Sequence, residues 1–188
     1  MNIINKEIFL PEGNFNVDLI QYDEKDRKIF YNIYKNWISL STKLRSIGGR
    51  AINLPEGLSE GSFCLEMNCV KMTKGISGPN TSWDCYDLNS KKRIQVKACS
   101  VLPDLTSFGP KSEWDEIYFL NFFKDGKWDG SFDIYKIDND LIYSHKVNKN
   151  QTMKDQQKQG RRPRFSIYKD IIIPNGIKPV KTGDLKIV

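Results

Sequence analysis

The stretch 81–100, TSWDCYDLNSKKRIQVKACS, holds the densest chemical pattern in the chain. Asp84 lies in a short apolar run, a polar turn follows from Asp87 to Lys92, and residues 93–98 (RIQVKA) alternate as a strand does. Side chains two apart on a strand share a face, so Gln95 and Lys97 point the same way. A polar turn between two strand-like runs predicts a hairpin with a loop longer than two residues. That hairpin brings Asp84 beside Gln95 and Lys97. A carboxylate, an amide oxygen and an ammonium on one surface can hold a divalent cation and a water next to a phosphate.

The 188 residues suit one domain with a real core. No apolar run approaches the ~18 residues of a membrane span, and the first nine residues show no signal-peptide pattern. Cys64, Cys69, Cys85 and Cys99 lack C-x-x-C spacing and are joined by a single histidine, His145, which argues against structural zinc. Reduced thiols in a cytoplasmic protein are expected. The net charge of +6 is uneven: residues 145–188 hold eleven Lys/Arg against three Asp/Glu, and residues 1–144 hold eighteen against twenty. The basic excess of the last quarter favours a polyanionic partner.

Residues 1–18 have two Pro/Gly interruptions and no period, and read as a loop or short strand. Over residues 22–48 a long helix is expected, with Phe30, Ile33, Trp37, Leu40, Leu44 and Ile47 as one apolar stripe and Gly48-Gly49 as the stop. The stripe suits packing on the domain body or a seam with a second subunit. A second helix should start between Pro55 and Ser59 and carry Glu60. Residues 116–123 (EIYFLNFF) read as a strand buried on both faces, residues 131–137 as the next strand, and Asp138 as the cap of a short helix or turn. The loop 104–110 offers Thr106 and Ser107, and Ser112 follows it, as donors to phosphate oxygens. His145 is expected on the surface.

Residues 148–165, NKNQTMKDQQKQGRRPRF, are nearly devoid of apolar side chains and should not be core. Arginine pairs with guanine edges, and glutamine or asparagine with adenine. Arg161, Arg162, Arg164, Gln156, Gln157 and Asn150 are therefore candidate base readers. Lys149, Lys154 and Lys158 suit phosphates. The segments 165–168 and 171–173 read as strands that anchor this basic stretch.

Asp84 followed by Gln95-x-Lys97 resembles the catalytic signature of the PD-(D/E)xK nucleases, with Trp83 in place of the usual proline and Gln95 in place of the usual acid. Together with residues 53–60 (NLPEGLSE), 105–115 (LTSFGPKSEWD) and 148–166, the pattern resembles a small family of type II restriction endonucleases within that superfamily. The resemblance covers most of the chain from about Tyr31 onward. It implies an α/β (α+β) restriction-endonuclease-like fold, a mixed central sheet of three or four strands flanked by helices. It divides one nuclease domain, 1–188, into a long N-terminal helix at 22–48, a catalytic core at 53–137 and a DNA-reading segment at 145–169.

The resemblance implies Mg²⁺ as cofactor, held by Asp84, the Val96 carbonyl and Glu60 (Glu56 being second choice), with Gln95 as a neutral ligand and Lys97 orienting the attacking water. It implies in-line attack that leaves a 5′-phosphate and a 3′-hydroxyl. The substrate is double-stranded DNA at a short palindrome, and relatives of this kind cut a GCNGC-type site. A palindrome implies a two-fold homodimer, with the 22–48 helix and the aromatic strand near Phe119 as interface candidates. The implied setting is the cytoplasm of a bacterium or archaeon, beside a methyltransferase that acts on the same site without binding this chain. A structure-specific repair or junction nuclease would share the metal chemistry, and a non-catalytic DNA-binding protein would need only the basic segment.

Overall fold

The computed structural model describes residues 1–186; the last two positions of the expected domain lie outside the described residues. The N-terminus is not a loop. β1 (Asn2–Leu10) and β2 (Gly13–Gln21) form a regular antiparallel hairpin across Pro11-Glu12. The proline and glycine mark its turn, with Gly13 at φ 136°, a conformation that favours glycine. Most of its side chains face solvent, which hides the alternation. Only Ile8, Leu10 and Leu19 are buried, against Val70, Trp83 and Tyr86.

Helix α1 (Glu24–Ser46) opens with a capping box made by Asp23 and Asp26. Its buried line is Asp26, Phe30, Tyr34, Trp37 and Ser41. The expected stripe is therefore rotated: Ile33, Leu40 and Ile47 are 40%, 50% and 80% exposed. Tyr34, with an apolar ring and a polar tip, takes the inward place that Ile33 was expected to hold. Helix α2 (Glu56–Met67) begins at Pro55 as expected and buries Leu58, Phe63 and Cys64.

The remaining strands are β3 (Val70–Met72), β4 (Cys85–Asp87), β5 (Lys92–Cys99), β6 (Thr106–Ser107), β7 (Glu116–Asn121), β8 (Ser131–Ile137), β9 (Arg164–Phe165) and β10 (Lys181–Asp184). The mixed central sheet has eight strands, not three or four, in the order β1-β2-β3-β4-β5-β7-β8-β10. Among the described residues only β5 and β7 pair in parallel; every other neighbouring pair of this sheet is antiparallel. β7 is buried on both faces: Tyr118 and Leu120 pack with α1 and α2, while Ile117 and Phe119 pack with the C-terminal elements. Because Phe119 is fully buried in the interior of the sheet, it cannot serve as a subunit interface.

The C-terminal third covers the second face. Asp138 caps α3 (Asn139–Ser144), and α4 (Met153–Lys158) follows with a Thr152–Asp155 capping box. The basic segment does enter the core, through Met153, Pro163 and Phe165. Phe165 stacks on Phe108 at 5.2 Å and meets the half-buried His145 ring at 4.3 Å. The expected strand at 171–173 is instead a π-helical turn, Tyr168–Ile172. Buried Asp104 accepts from Ser166 Oγ (2.6 Å), Ile167 N (2.9 Å) and Tyr168 N (3.0 Å), so it satisfies the first donors of a helical turn.

α1 and α2 approach closely at Gly61. A Cβ there would lie 2.5 Å from Phe30 Cζ, inside a buried aromatic contact. Alanine gains about 1 kcal/mol of helix propensity, but overpacking of this kind costs about 1–3 kcal/mol. Gly61→Ala should lower stability by up to about 2 kcal/mol and move Tm down by up to a few degrees. An unchanged or higher Tm in a thermal melt would show that the α1–α2 contact has slack.

Candidate active site

The β4–β5 ladder pairs Cys85 with Ile94, Tyr86 with Arg93 and Asp87 with Lys92. It ends where the Asp84 N–H donates to Ile94 O at 2.9 Å. Beyond that point β4 departs, guided by buried Trp83, whose Nε1 donates to Asn80 O at 3.1 Å. The next β5 donor on that side, Val96 N, is taken by Asp84 Oδ2 at 2.7 Å. Gln95 Nε2 donates to the same oxygen. Asp84 Oδ1 keeps no protein hydrogen bond among the described residues, and Asp84 lines an open cleft of about 810 Å³. A strand residue directs its N–H and C=O to the same side, so the Val96 carbonyl also faces the fork between the strands.

Side chains from both faces of the sheet meet at this fork. Ile94 and Val96 pack with α2 in one core, so Gln95 and Lys97 occupy the opposite face. The Lys97 ammonium lies 5.8 Å from the centre of the Phe108 ring, and Lys97 lines the cleft. Glu60 comes from α2, which is held to β4 by buried Cys64 and Cys85, 3.3 Å apart at sulfur. Glu56 and Ser59 lie on the same wall of the cleft.

The electrostatics are those of two partly buried carboxylates set among the Lys97 and Lys71 ammonium groups. Burial, with the neighbouring Glu60 carboxylate, pushes Asp84 up to about 7, against the pull of Lys97. Burial also raises Glu60, although the Lys71 ammonium lies directly against it. Among the described residues no group of three or more His, Cys, Asp or Glu side chains forms a ready-made metal cage. Two carboxylates and a carbonyl still fit an ion that fills its octahedron with water and phosphate oxygens.

The other expected residues fall in two places. Gln95 is buried and turns its amide nitrogen, not its oxygen, toward Asp84. Ser107 reaches the cleft wall, and its hydroxyl is buried without a hydrogen-bond partner. β6 pairs with β9, placing Ser107 across from Arg164, so the basic segment is fastened to the cleft rim. Phe108 N donates to Pro163 O at 3.1 Å, and Gln157 Nε2 donates to Gly109 O at 2.8 Å. Lys149, Asn150, Lys154, Arg161, Arg162 and Arg164 are exposed, and Gln156 is half-buried. Three cationic residues were not anticipated. Lys71 contacts Glu60, and Arg45 and Arg50 line the far wall of the cleft. Lys71 was hidden because β3 is three residues long and pairs with the unrecognised N-terminal hairpin.

Residues 22–174 match a family described as the Bsp6I restriction endonuclease. The chain belongs to the Bsp6I restriction endonuclease family. The type II restriction enzyme Bsp6I of Bacillus sp. (strain RFL6) is 35% identical over 172 residues, which is 90% of this chain and 94% of that enzyme. No solved structure matches. Family membership makes the chain a restriction endonuclease, a site-specific deoxyribonuclease, and leaves the junction-nuclease and pure binding-protein alternatives without support. Among the described residues, no helix of this Bsp6I-family chain is long and apolar enough to cross a membrane.

The raised Asp84 pKa fixes the sign of a stability effect. The folded value of about 7 lies above the ordinary 3.8, so the folded state binds the proton more tightly than the unfolded chain does. Without metal, this group's contribution is fully present below about 3.8 and is lost as pH rises through about 7. In EDTA at pH 8, Asp84→Asn should therefore exceed the unaltered protein in stability by an amount on the order of 1–3 kcal/mol. The two should converge near pH 4. Equal or lower stability of the variant at pH 8 would mean that Asp84 is not held as a strained anion.

Proposed function

We propose that this chain cleaves double-stranded DNA as a Mg²⁺-dependent type II restriction endonuclease at a short palindrome of GCNGC type, leaving 5′-phosphate and 3′-hydroxyl ends. The observation that carries this reading is the Asp84 carboxylate, tied down through Oδ2 and open through Oδ1 toward a cleft shared with Glu60, Val96 and Lys97. Asp84, the Val96 carbonyl and Glu60 hold the ion. Bound there, Mg²⁺ lowers the pKa of a water and offsets charge on the phosphate.

The protein groups divide the remaining work. Gln95 positions Asp84: its amide donates where an acid would repel, and so orients Oδ1. Lys97 orients the attacking water, helps to deprotonate it, and offsets charge on the pentacovalent phosphorus. Replacing the customary acid by Gln95 removes one negative charge, so metal affinity depends more heavily on Glu60.

Along the rim, Arg161, Arg162, Arg164, Gln156, Gln157 and Asn150 read base edges, while Lys149, Lys154 and Ser107 hold the backbone. Arginine on guanine O6 and N7 suits a GC-rich site. Two strands cut at a palindrome call for a homodimer. Its interface is the outer face of α1, where Ile29, Ile33, Leu40 and Ile47 are all at least 40% exposed and lie within about one third of the helix circumference. Sedimentation at micromolar concentration should give a dimer, and a clean monomer with and without DNA would count against this interface. The enzyme works in the cytoplasm of a bacterium or archaeon, with a cognate methyltransferase protecting the host sites.

Digestion of unmethylated plasmid with Mg²⁺ should yield discrete bands that disappear in EDTA and with Lys97→Ala. Glu60→Ala should raise the Mg²⁺ concentration needed for half-maximal cleavage. Intact DNA binding without cleavage of any duplex would refute the catalytic reading, and an unchanged Mg²⁺ requirement in Glu60→Ala would remove Glu60 from the ion site.

A further inference from the structure

Lys71 already neutralises one of the two carboxylates assigned to the metal. It stands on β3 directly across from Cys85, the residue after Asp84. Cross-strand partners point to one face, and Cys85 faces α2, so Lys71 rises against the same helix and its ammonium meets Glu60 Oε2. A second hollow of about 220 Å³ lies on that side; Asp84 and Glu60 belong to both this hollow and the main cleft, while Lys71, Lys74 and Thr81 line the hollow alone. With Gln95 uncharged, Asp84 and Glu60 are balanced by Lys97 and Lys71 before any ion enters. An added dication would share Glu60 with an ammonium in a half-buried setting, where like charges repel far more than in water.

We propose that Lys71 is a resident counter-cation that keeps Glu60 from the metal until DNA arrives, then turns into the adjoining hollow and, with Lys74, takes a backbone phosphate beside the scissile one. The proposal rests on the metal-dependent reading above. Its consequence is a coupling: DNA offers the Lys71 ammonium another anion and so releases Glu60, and by reciprocity the metal tightens DNA by the same factor. Lys71 is a positioning residue in this account, acting on the ion through Glu60. A nuclease with one acid fewer gains from the arrangement, since the metal assembles on DNA rather than on the free protein.

The test is a binding cycle on the full chain, with Mn²⁺ followed by electron paramagnetic resonance and DNA followed by fluorescence anisotropy in Ca²⁺. Without DNA, Lys71→Met and Lys71→Gln should bind Mn²⁺ at least about 5-fold tighter than the unaltered protein. Both variants should lose most of the factor by which Ca²⁺ tightens DNA, while Lys71→Arg keeps it. Damage to the fold would weaken metal binding, so tightening separates the proposed role from a structural one. The glutamine variant preserves a hydrogen bond to Glu60 if methionine disturbs packing. Unchanged or weaker Mn²⁺ binding in both neutral variants, with binding by the unaltered protein intact, overturns the role of Lys71 alone. Failure of the unaltered protein to bind Mn²⁺ even on DNA overturns the metal-dependent reading and this proposal together.

Discussion

One carboxylate oxygen of Asp84 is held by a backbone N–H and a side-chain amide at the point where two strands part. Most of what is distinctive about this molecule follows from that attachment. Val96 N–H would be an unsatisfied donor where the β4–β5 ladder ends, and Asp84 satisfies it at 2.7 Å. The same bond fixes the rotation of the carboxylate and leaves its second oxygen toward the cleft. Burial makes the anion costly, and Glu60 nearby makes it costlier. In the proposed function a divalent cation between the two acids offsets that cost.

The fork also explains how one site draws on two cores. A strand alternates its side chains between faces, so a continuous sheet would keep Lys97 and the α2 carboxylates apart. Where β4 leaves, α2 can reach past the sheet edge from one side and Lys97 from the other. Gly61 lets the Phe30 ring of α1 press on α2, the helix that carries Glu60. On the opposite face, buried Asp104 organises the chain from Ser166 to Tyr168, and β6 joins β9. The basic segment is thereby fixed to the rim of the cleft that holds Asp84 rather than hanging from it.

β5, β7 and β8 were legible because each is buried enough for its pattern to survive: β7 reads as a continuous apolar run, and β8 is largely alternating; the two-residue β6 falls within the expected loop 104–110. The Asp84, Gln95 and Lys97 grouping was legible for the same reason, since a hairpin's register follows from its turn. The N-terminal hairpin was not, because eighteen of twenty-one residues at positions 1–21 are partly or fully exposed, and polar outer positions blur the period. β10 was not, since Gly183 packs against Phe132 where a side chain was expected to advertise a strand. Tyr34 escaped the α1 stripe because a tyrosine's polar tip masks an apolar body. Met153, Pro163 and Phe165 anchor a stretch whose composition otherwise suggests solvent. Lys71 could not be placed at all without its strand partners.

A crystal of the protein with cognate DNA and Mn²⁺, examined by anomalous scattering at the manganese edge, tests the site most directly. The account requires a peak bounded by Asp84 Oδ1, the Val96 carbonyl and Glu60, with the Gln95 amide still on Asp84 Oδ2. A peak at any other cluster, or DNA bound in the cleft with no ion between Asp84 and Glu60, would contradict it.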